Sequence, residues 1–216
     1  MIANDLKKRI YTSLVLLISV FLIFKFNLIL VYFLIILGVL SILEFLELTR
    51  KIFISKTYLS IVNIFFILYI SIFCLMFFFF SNLAGLKIIL LFFLIGCITS
   101  DIGGFLFGKL FKGPKLTRIS PKKTFSGAMG SLISTAIIVS FLFFYFLQSF
   151  NLKIIIIALM TSVFCQIGDL IFSFLKRKAK LKNTGKILPG HGGILDRLDG
   201  ILLGIPLGFL TLVLLN

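Results

Sequence analysis

LKIIIIALMTSVFCQIGDLIFSFL, residues 152–175, is the stretch whose reading decides the fold. Apart from Lys153 at its start and Asp169 near its end it carries no charge. A helix needs about 20 predominantly apolar residues to cross the hydrocarbon of a bilayer, so this stretch reads as a transmembrane helix with an acid inside it. Comparable apolar runs cover about residues 10–26, 28–48, 58–80, 86–107, 125–147 and 199–215. None alternates with period two as a barrel strand does, so each span has to satisfy its backbone hydrogen bonds as a helix. The expected fold class is therefore all-α, a polytopic membrane helix bundle of about seven transmembrane helices. Only Lys25, Phe26 and Asn27 separate the first two spans, which form a tight helical hairpin or divide elsewhere.

Composition points the same way. Sixty per cent of the chain is hydrophobic and 13% charged, too few charges to solvate a globule and too much apolar surface for one core. The basic residues fall on alternate loops. With the N-terminus in the cytoplasm, 19 of the 22 Lys and Arg lie inside, and Lys25, Lys87 and Lys153 lie outside, as the positive-inside rule expects. A net charge of +15 confined to one membrane face needs no nucleic acid as a partner. It would instead attract anionic lipid, by about 1 kcal/mol per residue near the surface. Cys74, Cys97 and Cys165 sit singly in apolar spans and read as packing residues, with no spacing for zinc or a disulfide. The first apolar segment lacks a small-residue cleavage site and reads as a retained helix.

Residues 1–82 hold little besides Leu, Ile, Phe and Val, and read as N-terminal scaffold helices with Glu44 and Glu47 as interfacial acids. Residues 83–216 read as the catalytic membrane domain, with cytoplasmic loops at 108–124 and 176–198. The halves show no internal repeat, which weighs against an inverted-repeat transporter.

Polar residues enter the spans from residue 96 onward, first in GCITSDIGG, residues 96–104. Asp101 lies about six residues from the cytoplasmic end of its span, about 9 Å deep at ~1.5 Å per residue. An acid that costs ~2.5–3.5 kcal/mol at mid-membrane calls for a partner, a cation or a polar cavity. Asp169 lies at a similar depth, and two acids at one depth near one face read as a shared site; the alternative is a helix–helix hydrogen bond for each. The loop ending in ISPKKTFSG, residues 119–127, offers Ser120 or Thr124 as a helix cap. With Lys122 and Lys123, that helix N-terminus would attract phosphate.

The richest stretch is SFLKRKAKLKNTGKILPGHGGILDRLDG, residues 173–200. Positive-inside bias accounts for its lysines but not for its acids, its glycines or the chain's sole histidine, His191. Asp196 and Asp199, three apart at the start of a helix, would share a face and could reach one cation. Gly190, Gly192 and Gly193 would let the backbone approach a phosphate closely.

These segments resemble the phosphatidate cytidylyltransferase family, the CDP-diacylglycerol synthases. The family signature S-x-x-K-R, four residues, K-D, then P-G-H-G-G-I-x-D-R-x-D is matched from Ser173 to Asp199, with Asn183 in place of its aspartate. Ser100, Asp101, Gly104, Phe105 and Gly108 match a second family pattern; Ser120, Pro121, Lys123, Thr124 and Gly127 match a third. The resemblance covers roughly residues 96–200. It implies cytidylyl transfer from CTP to phosphatidate, giving CDP-diacylglycerol and pyrophosphate, at the cytoplasmic face of a bacterial inner (plasma) membrane. For that reaction Mg2+ is assigned to Asp169 and Asp196, with Asp199 and Asp101 as further ligands or orienters and room for a second divalent or a monovalent cation. Lys123, Lys176, Arg177, Lys182, His191 and Arg197 would hold phosphates of CTP or lipid, and Lys122, Gly192 and Gly193 would complete the nucleotide-binding set. Asn183 keeps an oxygen but loses the charge, and stays outside the metal set. Membrane lipids and a second copy of the chain, as a homodimer, are the expected partners. Two other readings stand beside this one: a CTP-dependent polyprenol kinase, and an ion transporter using the intramembrane acids as a path.

Overall fold

In the computed structural model the described residues are 18, 22, 25–117, 119–148, 150–185, 187 and 192–215. Among them, six segments are long and apolar enough to cross a membrane. Five are single helices: α1 (Asn27–Arg50), α2 (Lys56–Asn82), α3 (Ala84–Phe111), α4 (Phe125–Leu147) and α5 (Leu152–Lys178). The sixth, Leu195–Leu215, consists of a single turn, α6 (Leu195–Leu198), followed by α7 (Ile201–Leu215). The second to seventh predicted spans recur in order, while the first, at 10–26, lies almost wholly outside the described residues. Those residues contain no strand; Lys115 and Thr124 form an isolated antiparallel bridge. The chain is an all-α, multi-pass membrane bundle.

One predicted detail does not form. Asp196 and Asp199 do not share an unbroken helix, because the chain turns at Asp199 and Gly200 before helix resumes at Ile201. The Gly200 N–H donates to Asp199 Oδ1 at 3.2 Å, a local bond that competes with the helical ladder, and glycine is a poor helix former.

The surface pattern is that of a protein solvated by lipid. Ile35, Phe65, Leu75, Phe79, Phe105 and Phe141 are exposed, whereas Ser100, Ser131, Thr135, Thr161 and Ser162 are buried. In hydrocarbon, helices associate through close packing and interhelical hydrogen bonds of small residues, since burying leucine away from lipid gains little.

Packing divides the chain into two compact units, Met1–Lys87 with Leu175–Leu198, and Ile88–Phe174 with Asp199–Asn216. The sequence division at residue 82 follows chain order, but the units do not, for residues 175–198 group with the N-terminal helices.

In the first unit α1 packs on α2. The Phe45 and Phe66 rings stack with centroids 3.7 Å apart, and Thr49 Oγ1 donates to Asn63 Oδ1 at 2.8 Å. In the second unit α3 and α4 meet along small residues. A Cβ added at Gly127 would lie 2.7 Å from the Gly104 carbonyl oxygen, so the two backbones touch. Ser131 Oγ donates to the Ser100 carbonyl at 2.7 Å, and the Ser100 and Ser162 hydroxyls bond at 2.9 Å, tying α5 to the pair. Phe92, Val139, Phe143, Ile154 and Ala158 form an apolar cluster in the same unit.

Candidate active site

The second unit holds a cavity of about 280 Å³ whose walls include Ser100, Asp101, Lys123, Thr124, Gln166 and Asp169. Its charged centre is an ion pair, Lys123 Nζ to Asp169 Oδ2 at 2.9 Å. The loop before α4 fixes the lysine. Lys112 and Gly113, at φ 50° and 116°, turn the chain back after α3. The Leu116 N–H then donates to the Lys123 carbonyl at 2.8 Å, and the Lys123 N–H to that of Ser120 at 3.0 Å. Thr124 caps α4, accepting the Gly127 N–H at 3.1 Å, which resolves the choice between Ser120 and Thr124. The Asp199–Gly200 turn packs against Asp169, since a Cβ at Gly168 would collide with the Asp199 carbonyl and one at Gly200 would lie 3.0 Å from Asp169 Oδ1. Asp101, Asp169, Lys123 and the Asp199 turn thus belong to one packed unit.

The first unit builds a different constellation. Helix α5 ends where Lys180 adopts φ 56°, with the Leu181 N–H donating to the Lys176 carbonyl at 2.8 Å, a left-handed termination that anchors Lys176 at the helix end. Lys176 Nζ pairs with Asp196 Oδ1 at 2.7 Å, with 12% and 10% of the two side chains exposed. The other oxygen, Oδ2, accepts the Thr184 N–H at 2.9 Å and the Gly193 N–H at 3.0 Å. Gly192 has φ 92°, and a Cβ there would sit 2.7 Å from Asp196 Oδ2. Only glycine meets both demands.

Glu44 was expected to be an interfacial acid on a scaffold helix, and the structure overturns that. Its side chain is buried, with 3% of the residue exposed. Oε2 accepts the Thr184 hydroxyl at 2.9 Å and the Leu195 N–H at 3.0 Å, and Oε1 accepts the Ile194 N–H at 2.9 Å. Hydrogen bonds to a charged group contribute about 1.5–3 kcal/mol each, which is what allows a carboxylate to be buried. A Cβ at either Gly185 or Gly193 would collide with this carboxylate. Gly193, expected to make room for a phosphate, therefore has an internal reason to be glycine. The signal that could have found Glu44 is the one applied to Asp101, an acid six residues inside the end of its helix at Arg50.

The remaining predicted residues are less enclosed. Lys122, Arg177, Lys182 and Arg197 are exposed, as is Asn183, whose side chain abuts Gly192. Glu44, Glu47, Lys51, Lys182 and Asn183 line a cavity of about 670 Å³ in the first unit. His191 and Gly190 lie outside the described residues. Asp169 and Asp196, expected to meet at one ion, belong to different units.

A sequence model of the cytidylyltransferase family matches residues 55–215. The chain belongs to that family. The phosphatidate cytidylyltransferase of Staphylococcus haemolyticus is 43% identical over 136 residues, which is 61% of this chain and 51% of that protein. That of Staphylococcus aureus strain COL is 44% identical over the same extent, and that of Helicobacter pylori strain J99 is 40% identical over 111 residues, 51% of this chain and 42% of the relative. The chain thus spans about half the length of the relatives it matches. Both lysine–aspartate pairs fall inside the matched segment, whereas Glu44 precedes it.

Proposed function

We propose that the chain transfers a cytidylyl group from CTP to phosphatidate, giving CDP-diacylglycerol and pyrophosphate, at the cytoplasmic face of a bacterial plasma membrane. The observation that carries this reading is the polar cavity of the second unit, where Lys123 and Asp169 pair among lipid-facing helices in a chain of the cytidylyltransferase family. Such a cavity suits a substrate whose charged end must leave water while its acyl chains stay in the bilayer.

In the reaction a phosphate oxygen of phosphatidate bonds to the α-phosphorus of CTP. The bond from that phosphorus to the bridging oxygen breaks, and pyrophosphate leaves with the electron pair. The nucleophile is already an anion, so no general base is required, and catalysis reduces to holding phosphates and stabilising charge. Lys123 supplies a fixed cation for a phosphate at the cavity. Ser100, Gln166 and the capped start of α4 offer further polar groups there. Lys176 and Arg177, at the end of α5, and Arg197 are assigned to phosphates by the family motif, as is His191.

Mg2+ fits the oxygen donors of this cavity. Among the described residues no three His, Cys, Asp or Glu side chains group as a metal cage. Mg2+ does not need one, since it is commonly held by one or two carboxylates together with substrate phosphates and water. Asp169 and Asp101 line one cavity and would hold it, with Asp199 as an orienter and Asp196 assigned by the motif. Bound there, the ion would neutralise charge on the phosphates.

The deciding assay uses purified protein in detergent with CTP, phosphatidate and Mg2+. Pyrophosphate and CDP-lipid should appear together, and chelation should stop both. With a polyprenol supplied in place of phosphatidate, release of CDP with the phosphorylated polyprenol would instead establish the kinase reading.

A further inference from the structure

We propose that Glu44 is a positioning residue of the enzyme, a carboxylate on α1 that clasps both arms of the 183–195 loop and so sets the orientation of Asp196. The proposal deepens the cytidylyltransferase reading and, for its catalytic arm, rests on it.

Among the described residues, the three hydrogen bonds of the Glu44 carboxylate come from this loop. Thr184 lies on the first arm, residues 183–185, and Ile194 and Leu195 lie on the second, residues 192–195. Asp196 joins the same two arms, through the Thr184 and Gly193 N–H groups. Thr184 is therefore shared, its hydroxyl held by Glu44 and its N–H by Asp196. Leu195, bonded to Glu44, is the residue next to Asp196. Any movement of the Glu44 carboxylate is passed to Asp196 through both links.

The clasp requires a carboxylate and not merely a side chain of that size. Ile194 and Leu195 donate from the first turn of α6 and its approach, where the N–H groups have no partner within a helix. Each Glu44 oxygen accepts at least one of them. Glutamine of the same shape would turn an NH2 group toward an N–H whichever way its amide points, losing one bond and adding a donor–donor contact. Glycine at 185 and 193 gives the carboxylate its room.

The test uses the full chain in detergent with Glu44→Gln, Thr184→Ala and Thr184→Ser. Turnover and KM for CTP are measured alongside amide hydrogen exchange over the loop, with α2 as internal reference. Glu44→Gln should lower kcat by about 10–100-fold, as loss of an orienting partner does, with KM for CTP changed less than about threefold, roughly 0.6 kcal/mol. Exchange should quicken at 183–195 and stay unchanged in α2. Thr184→Ala should move both readouts the same way, and Thr184→Ser, which keeps the hydroxyl, should restore them. Unchanged loop exchange in Glu44→Gln, or wild-type kcat in it, would overturn the proposal. Should Glu44→Gln fail to fold, the Thr184 pair decides by the same readouts. Should the wild type make no CDP-lipid, the functional reading fails while the exchange measurement still decides the role of Glu44.

Discussion

Two lysine–aspartate pairs of this chain look alike in a list of charges and differ in what surrounds them. Lys123 and Asp169 meet in an open cavity, with 29% and 17% of their side chains exposed. Lys176 and Asp196 are closed in, and two backbone N–H groups take the aspartate's second oxygen. The first aspartate is placed to exchange its partner for a substrate or an ion. The second is part of the fold of its own loop as well as a motif residue. The two aspartates thus do different physical work, and function and stability should separate between them.

The sharpest way to break the comparison is to truncate each aspartate. Asp196→Ala would take from Lys176 the carboxylate it pairs with and from the Thr184 and Gly193 N–H groups their acceptor, a loss of about 1–3 kcal/mol by the cost of leaving enclosed polar groups unsatisfied. Asp169→Ala should change stability by no more than about 1 kcal/mol, since its pair is partly solvated. Both should remove CTP incorporation into lipid, by more than about 10³-fold if each supplies several kcal/mol at the transition state. Denaturation in detergent beside the incorporation assay separates the two. Equal stability losses would erase the distinction between the pairs.

A smaller effect sharpens the account of the closed pair. Gly193→Ala adds a methyl where Thr184 and Glu44 leave no room, and overpacking of that kind costs about 1–3 kcal/mol. Its melting temperature should fall while Ala substitution at Gly85, which has open space around it, leaves the protein nearly unchanged. A tolerated Gly193→Ala would mean that the loop has other room to move. The smallest effect belongs to the exposed bases. Lys182→Ala should raise KM for CTP within about fivefold, about 1 kcal/mol, and the change should shrink as salt is raised. A loss of kcat instead would move Lys182 from steering to chemistry.

The sequence by itself determined the all-α membrane class, the second to seventh spans and their order, and the polar segments that interrupt the apolar ones. Each of those is a local property: twenty apolar residues must span, and an intramembrane acid must be accommodated wherever the chain puts it. The cap at Thr124 was legible to within one alternative, because capping involves residues three apart. The break at Asp199 and Gly200 was not legible, since three-residue spacing on an assumed helix hides a turn made by one side chain and one glycine. Least legible of all was Glu44, 140 residues from Thr184 along the chain, whose partners are a hydroxyl and two backbone N–H groups with no mark in the sequence. Tertiary structure alone decided that this acid binds Thr184, Ile194 and Leu195. A buried carboxylate is recognised by the donors that surround it, and the fold chooses those donors.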